Sequence, residues 1–141
     1  MIKAIIIDDE IHCIETLSIL LKEYCADVKV MEHCHSAKKG LEAIDKIKPD
    51  LVFLDIEMPA MNGFEMLEQF DLIPCAIIFT TSYDQYAIKA IRFSALDYLL
   101  KPIDPNELIN AVKSSGAEAF ANAEQFQMLL KKIKWKGTSF Q

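Results

Sequence analysis

Four short apolar runs, each ending in a residue with chemistry to offer, constrain this chain more than any other feature. Ile5-Ile6-Ile7 leads into Asp8-Asp9, and Leu51-Val52-Phe53-Leu54 leads into Asp55. Ala76-Ile77-Ile78-Phe79 leads into Thr80-Thr81, and Tyr98-Leu99-Leu100 leads into Lys101-Pro102. Short runs that are apolar at every position are the mark of strands buried on both faces, as in parallel sheets. In such open sheets the ligand site lies beyond the carboxyl ends of the strands. Three carboxylates, a hydroxyl and an ammonium are therefore expected along one edge. That set can bind a divalent cation and hold a phosphoryl group.

The segments between the runs carry helical patterns. Ile11, Ile14, Leu17, Ser18 and Leu21 share one face of a first helix. A second strand is expected over Val28–Met31. Ser36 then caps a helix with the stripe Ala37, Leu41, Ile44 and Ile47, which Lys48-Pro49 ends. Asp55–Gly63 is expected to be a loop closed by an Asn62-Gly63 turn, followed by a short helix over Phe64–Phe70. Ser82-x-x-Gln85 fits a capping box for a helix bearing Ala87, Ile88 and Ile91. Asp104-Pro105-Asn106-Glu107 opens the last helix, with Leu108, Ile109 and Val112 on its inner face. Five strands alternating with five helices predict an α/β fold, a doubly wound parallel sheet covered on both sides.

Composition narrows the function classes. The 141 residues suit one domain, and 52% apolar content supports a full core. No apolar run approaches membrane-span length and no leader is visible, so a soluble cytoplasmic protein with no membrane partner is expected. Cys13, Cys25, Cys34 and Cys75 form no CxxC pair, so neither a disulfide framework nor a zinc site is expected. His33-Cys34-His35 suggests a metal, but neighbouring strand residues face opposite sides. Cys34 is read as core and the histidines as solvent-facing. A formal charge of −6 argues against general nucleic-acid affinity. Residues 1–116 carry 11 Lys+Arg against 19 Asp+Glu, whereas residues 117–141 carry four Lys against two Glu. The acidic domain therefore ends in a differently composed tail, with the basic run Lys131-Lys132-Ile133-Lys134-Trp135-Lys136.

Asp8, Asp9 and Asp55 repel one another unless a cation joins them, and Mg²⁺ suits a few carboxylates that share it with a phosphate. Asp55, presented by a rigid strand, can act as a nucleophile and form an aspartyl phosphate. Lys101 offers a point charge and Thr81 a hydroxyl to the phosphoryl oxygens. Either isomer of the Lys101-Pro102 bond is compatible with the sequence.

Asp8-Asp9-Glu10, Asp55-Ile56-Glu57-Met58-Pro59 with Asn62-Gly63, Thr81 and Lys101-Pro102 form an ordered set. By that set the chain resembles the receiver domain of two-component response regulators, from Lys3 to about Ser115. Phe79–Ala87 and Asp97–Ile103 are similar to the LytTR-type branch, whose members carry a DNA-binding domain after the receiver. The resemblance implies a flavodoxin-like fold with strand order 2-1-3-4-5. It implies Asp55 as phosphoacceptor. It also implies Mg²⁺ held by Asp9, Asp55 and the backbone carbonyl of Glu57, with Asp8 acting through water. Thr81, Lys101 and the backbone of Ser82 would hold the phosphoryl group. Thr81 and Tyr98 would be the switch pair, and Pro59, Gly63 and Pro102 structural residues. Ser82 stands where the family usually has Ala or Gly, which with Glu57 bears on the dephosphorylation rate.

The implied partners are a sensor histidine kinase and a second copy of the chain. The second copy would meet the face of the fourth helix, fifth strand and fifth helix, where Lys89, Arg92, Asp97 and Asp104 lie. DNA would be reached only through a domain absent from this chain. Residues 1–116 are read as the receiver and 117–141 as an extension of the last helix leading to that domain, with a stand-alone receiver as the alternative. The protein is expected to be a phosphoacceptor that catalyses its own phosphotransfer and dephosphorylation and not a turnover enzyme. Three rivals fit less well. An aspartyl-phosphate phosphatase would need an acid of another kind at Glu57. A flavin-type binder would need a loop rich in Gly, Ser and Thr after the first strand. A pseudo-receiver would not need the full set of site residues.

Overall fold

The computed structural model describes residues 1–83 and 97–123. Its elements are β1 (Ile2–Ile7), α1 (Ile11–Tyr24), β2 (Val28–Cys34), α2 (Ala37–Ile47), β3 (Leu51–Asp55), α3 (Gly63–Leu67), β4 (Ala76–Thr81), β5 (Asp97–Leu100) and α4 (Pro105–Ser114). The strands form one sheet in the order β2-β1-β3-β4-β5, and every pair is parallel. This is the expected doubly wound arrangement. The expected helix after Ser82, with Gln85, Ala87, Ile88, Lys89, Ile91 and Arg92, lies outside the described residues, as does the basic run of the tail.

Alternation along each strand divides the core in two. Ile2, Ala4 and Ile6 of β1 join Phe53, Ile78 and Leu99 in a layer closed by α1 and α4. Ile5 and Ile7 join Val52, Leu54, Ile77 and Phe79 in a layer closed by α2 and α3. Both faces are apolar, which is why the strands are continuous apolar runs and not alternating ones.

Local chemistry sets the element ends. Ser36 Oγ accepts a hydrogen bond from the Lys39 N–H at 3.2 Å, and Asp104 Oδ2 accepts one from the Glu107 N–H at 3.0 Å. Lys48 leaves the right-handed helical region ahead of Pro49, at φ 53°. Buried Asp50 ties the sheet together at its lower edge. Its carboxylate accepts from the Lys3 N–H at 2.8 Å, while its carbonyl accepts from the Ala76 N–H at 3.0 Å.

Several expectations need correction. Ile11 is 58% exposed, so the inner face of α1 is Ile14, Leu17 and Leu21. Asn62-Gly63 is not a free turn. Asn62 is the N-cap of α3, its side chain and that of Glu65 cap each other reciprocally, and Gly63 is the first helical residue. α3 then ends at Leu67, short of Phe70. β2 runs on to Cys34, because the register slips at Met31: Ala4 pairs with Val30 and Ile5 with Glu32. The last helix does not run on unbroken. α4 stops at Ser114, Gly116 adopts φ 81°, and residues 117–123 are helical again. Ser115 seals the break, its hydroxyl donating to the Val112 carbonyl at 2.8 Å and accepting from the Ala117 N–H at 3.1 Å.

Candidate functional site

The strand registers bring the chemistry together. Ile7 is opposite Leu54, so Asp8 follows β1 level with Asp55 at the end of β3. Asp55 is opposite Thr80, and Thr81 is opposite Leu100, one residue before Lys101. The Lys101 N–H donates to the Thr81 carbonyl at 2.8 Å, which extends the ladder by one rung.

At this edge Asp8 and Asp55 are buried and Asp9 is exposed. Each can offer a carboxylate oxygen to one point, and those oxygens lie within 4.8 Å of one another. Lys101 Nζ donates to Asp8 Oδ2 at 2.8 Å and pairs with Asp55 Oδ1 at 3.4 Å. The lysine thus sits nearer Asp8 than Asp55. The other oxygen of Asp8 accepts the Glu10 N–H at 2.9 Å, which holds that carboxylate in place at the head of α1.

Burial pushes the Asp55 carboxyl up to about 8, with help from the negative charge of Asp8 and against the pull of Lys101. For Lys101, burial favours the neutral form. The hydrogen bond to Asp8 and the charges of Asp55 and Asp8 outweigh it, so its pKa rises. One half-buried ammonium therefore serves two buried carboxyl groups, and the site, with Asp9 beside them, has negative charge left to share with a cation. A hard divalent ion with oxygen ligands fits this donor set.

Other expected residues fall around the cluster. Glu57 lies two positions past Asp55 with an exposed side chain, and Ser82 is exposed past the end of β4. Thr81 is fully buried, and its Oγ1 accepts the Tyr83 N–H at 3.1 Å. Tyr98 is half-buried and its hydroxyl donates to the Tyr83 carbonyl. One peptide segment thus ties Thr81 to Tyr98. The Lys101-Pro102 bond is cis. Gly63 packs against the backbone of Asp55: a Cβ there would lie 2.7 Å from the Asp55 carbonyl oxygen. Pro59 is exposed in the loop between Asp55 and α3.

Sequence pattern alone does not separate Thr80 from its neighbour Thr81. Thr80 is 3% exposed and shares the sheet face of Asp55, whereas Thr81 turns to the other layer. His33 and His35 are exposed and Cys34 is buried, with its thiol raised to about 11 by burial and by Glu32. Among the described residues the only cluster able to hold a metal is Asp8, Asp9 and Asp55.

The response regulator receiver domain model matches residues 4–113. The chain belongs to the receiver family. This receiver is 46% identical over 115 residues to an uncharacterized response regulatory protein of Vibrio vulnificus, covering 80% of this chain and 47% of that protein. It is 44% identical over 109 residues to the transcriptional regulatory protein BtsR of Escherichia coli, covering 77% of this chain and 45% of BtsR. The receiver thus spans a little under half the length of these relatives. Among solved structures it is similar to the REC domain of AraT from Geobacillus stearothermophilus, with TM-score 0.71 and 32% identity over 89% of this chain and 98% of that one. The response regulatory domain of mrkE from Klebsiella pneumoniae gives TM-score 0.74 and 25% identity over 85% and 98%. Among the described residues, no helix of the receiver is long and apolar enough to cross a membrane.

Proposed function

We propose that Asp55 accepts a phosphoryl group from a phosphohistidine of a sensor histidine kinase. The observation that carries this reading is the buried Asp55 carboxylate, set beside two further acids and 3.4 Å from the Lys101 ammonium. Mg²⁺, when bound, supplies charge compensation to the phosphoryl oxygens. Asp9, Asp55 and the carbonyl of Glu57 would hold it, with Asp8 acting through water. An Asp55 oxygen forms a bond to phosphorus as the bond from phosphorus to the kinase imidazole nitrogen breaks, and that electron pair returns to the ring. Lys101, already between Asp8 and Asp55, turns to a phosphoryl oxygen with little movement. The Thr81 hydroxyl and the Ser82 N–H meet the others. The same residues serve self-catalysed transfer and later hydrolysis, with no separate turnover activity.

Phosphorylation adds roughly −1.5 to −2 charge and three strong acceptors. The Thr81 hydroxyl meets them as a donor while its oxygen accepts the Tyr83 N–H, so a shift of Thr81 bears on Tyr83, whose carbonyl accepts from the Tyr98 hydroxyl. Movement of Tyr98 carries the change to the face built on β5 and α4, where a second copy would dock. The output is a LytTR-type DNA-binding domain beyond residues 117–141. This rests on the sequence resemblance and on the relative named as a transcriptional regulator.

Incubation with acetyl phosphate and Mg²⁺ tests the first step. Labelling is expected for the native chain, not after EDTA treatment and not for Asp55→Asn. Undiminished labelling of Asp55→Asn would refute the assignment.

A further inference from the structure

At the opposite end of the sheet from Asp55, a groove of about 600 Å³ runs between the connection from α3 to β4 and the segment that follows α4. Buried Cys75, Ala76 and Ile77 at the start of β4 form its floor, and Ser115, Ala119 and Phe120 form one wall. The groove is apolar and open. Leu72 on its rim is 86% exposed and Phe120 is 39% exposed. Phe70 and Ile73 beside them are half-buried. Phe70 and Phe120 also border a second cavity of about 370 Å³ toward the end of α2, so the apolar surface continues past them. Contiguous exposed apolar surface marks interaction sites, whereas apolar residues scattered singly do not.

The charge of the groove is one-sided. Glu68 and Asp71 are exposed on its rim, and neither is ion-paired among the described residues. No lysine or arginine of those residues lines it. A fitting occupant is therefore apolar on one side and cationic on the other. The chain itself carries such a segment. Lys131-Lys132-Ile133-Lys134-Trp135-Lys136, outside the described residues, holds four lysines and no acid. Ile133 and Trp135 alternate with lysines, so an extended strip presents that pair to one side and Lys132, Lys134 and Lys136 to the other. Long lysine stems let the ammonium groups reach carboxylates on a rim while the strip lies on apolar surface. Residues 124–130 extend up to about 25 Å. The wall of the groove is the chain just before them, so the run meets it at high effective concentration.

We propose that the run 131–136 docks in this groove of its own chain, with Ile133 and Trp135 against Leu72, Ile73 and Phe120 and the lysines beside Glu68 and Asp71. Docking anchors the exit of the chain to the connection before β4. It does not depend on the function proposed above.

Trp135 is the only tryptophan of the chain, so its fluorescence reports the tail alone. In the full chain, in EDTA without phosphodonor, acrylamide quenching is expected to be several-fold weaker than after unfolding in guanidinium chloride. Emission is expected to the blue of the unfolded chain, equally at every protein concentration. Leu72→Asp, at an exposed position, raises quenching toward the unfolded value while far-UV circular dichroism stays native. Glu68→Lys with Asp71→Lys shifts the equilibrium toward the open form by roughly twofold to fivefold per ion pair lost. Adding Lys132→Glu with Lys134→Glu to that variant restores the protection. Quenching equal to that of the unfolded chain overturns the proposal, as does protection that both groove variants leave unchanged. Protection that grows with protein concentration also overturns it, because the occupant is then the tail of a second copy.

Discussion

At the scale of single residues, Asp55 is in an unusual position. The proposed role as nucleophile requires the ionised form, yet burial and Asp8 raise its pKa to about 8. Below that value a cation must displace the proton before it binds. Mg²⁺ affinity is therefore expected to climb with pH, by up to about tenfold per unit below 8, and to level off above it. Calorimetry in buffers of different ionisation enthalpy reads both the slope and the released proton. Asp55→Asn is expected to weaken binding and remove the slope; an unchanged slope would place the titrating group elsewhere. The meeting of Asp8, Asp9, Asp55 and Lys101 at one edge was legible in the sequence, because each follows a strand of unmistakable pattern. Two things at this scale were not legible. The preference of Lys101 for Asp8 over Asp55 depends on side-chain rotamers that spacing does not encode. The placement of Thr80 on the sheet face of Asp55 depends on which of two adjacent threonines faces which layer, and that follows only from the pairing register.

At the scale of elements, the loop after β3 is held by a contact the sequence hides. The Gly63 N–H donates to the Ile56 carbonyl at 3.0 Å, and its Cα lies against the Asp55 peptide. Gly63→Ala is expected to cost about 1–3 kcal/mol, since the new methyl meets backbone that cannot swing aside. Urea unfolding measures the loss, and labelling by acetyl phosphate should fall with it as Asp55 is displaced. At the opposite edge, Asp50→Ala removes the carboxylate that accepts the part-buried Lys3 N–H and is expected to cost about 1–3 kcal/mol. Acetyl phosphate labelling of the folded fraction should stay unchanged, because Asp50 lies at the far ends of the strands. Helix caps at Ser36 and Asp104 were visible because a small polar residue precedes an amphipathic stripe. The cap at Asn62 was obscured by Asn-Gly, a pair equally suited to a tight turn. Ile11 misled for a simpler reason: its spacing matches the buried stripe, but it occupies the first turn, beyond the edge of the layer.

At the scale of the molecule, the site's electrostatics enter the stability of the whole. Between pH 4 and about 8, folded Asp55 keeps a proton that the unfolded chain has lost, so its contribution to stability falls as pH rises. Asparagine has no such titration. In EDTA, Asp55→Asn is expected to gain at least about 1 kcal/mol on the native chain between pH 5 and 8 in denaturant melts. A constant difference would mean that folding leaves the ionisation of Asp55 untouched. The slip at Met31 also acts at this scale. It sends Val28 and Val30 to the layer of α1 and α4, and Cys34 to the layer of α2 and α3. The outermost strand is thereby stitched to both helical coats. Those of its amide protons that bond to β1 are expected to exchange with solvent more slowly than those that face outward, which hydrogen exchange reads.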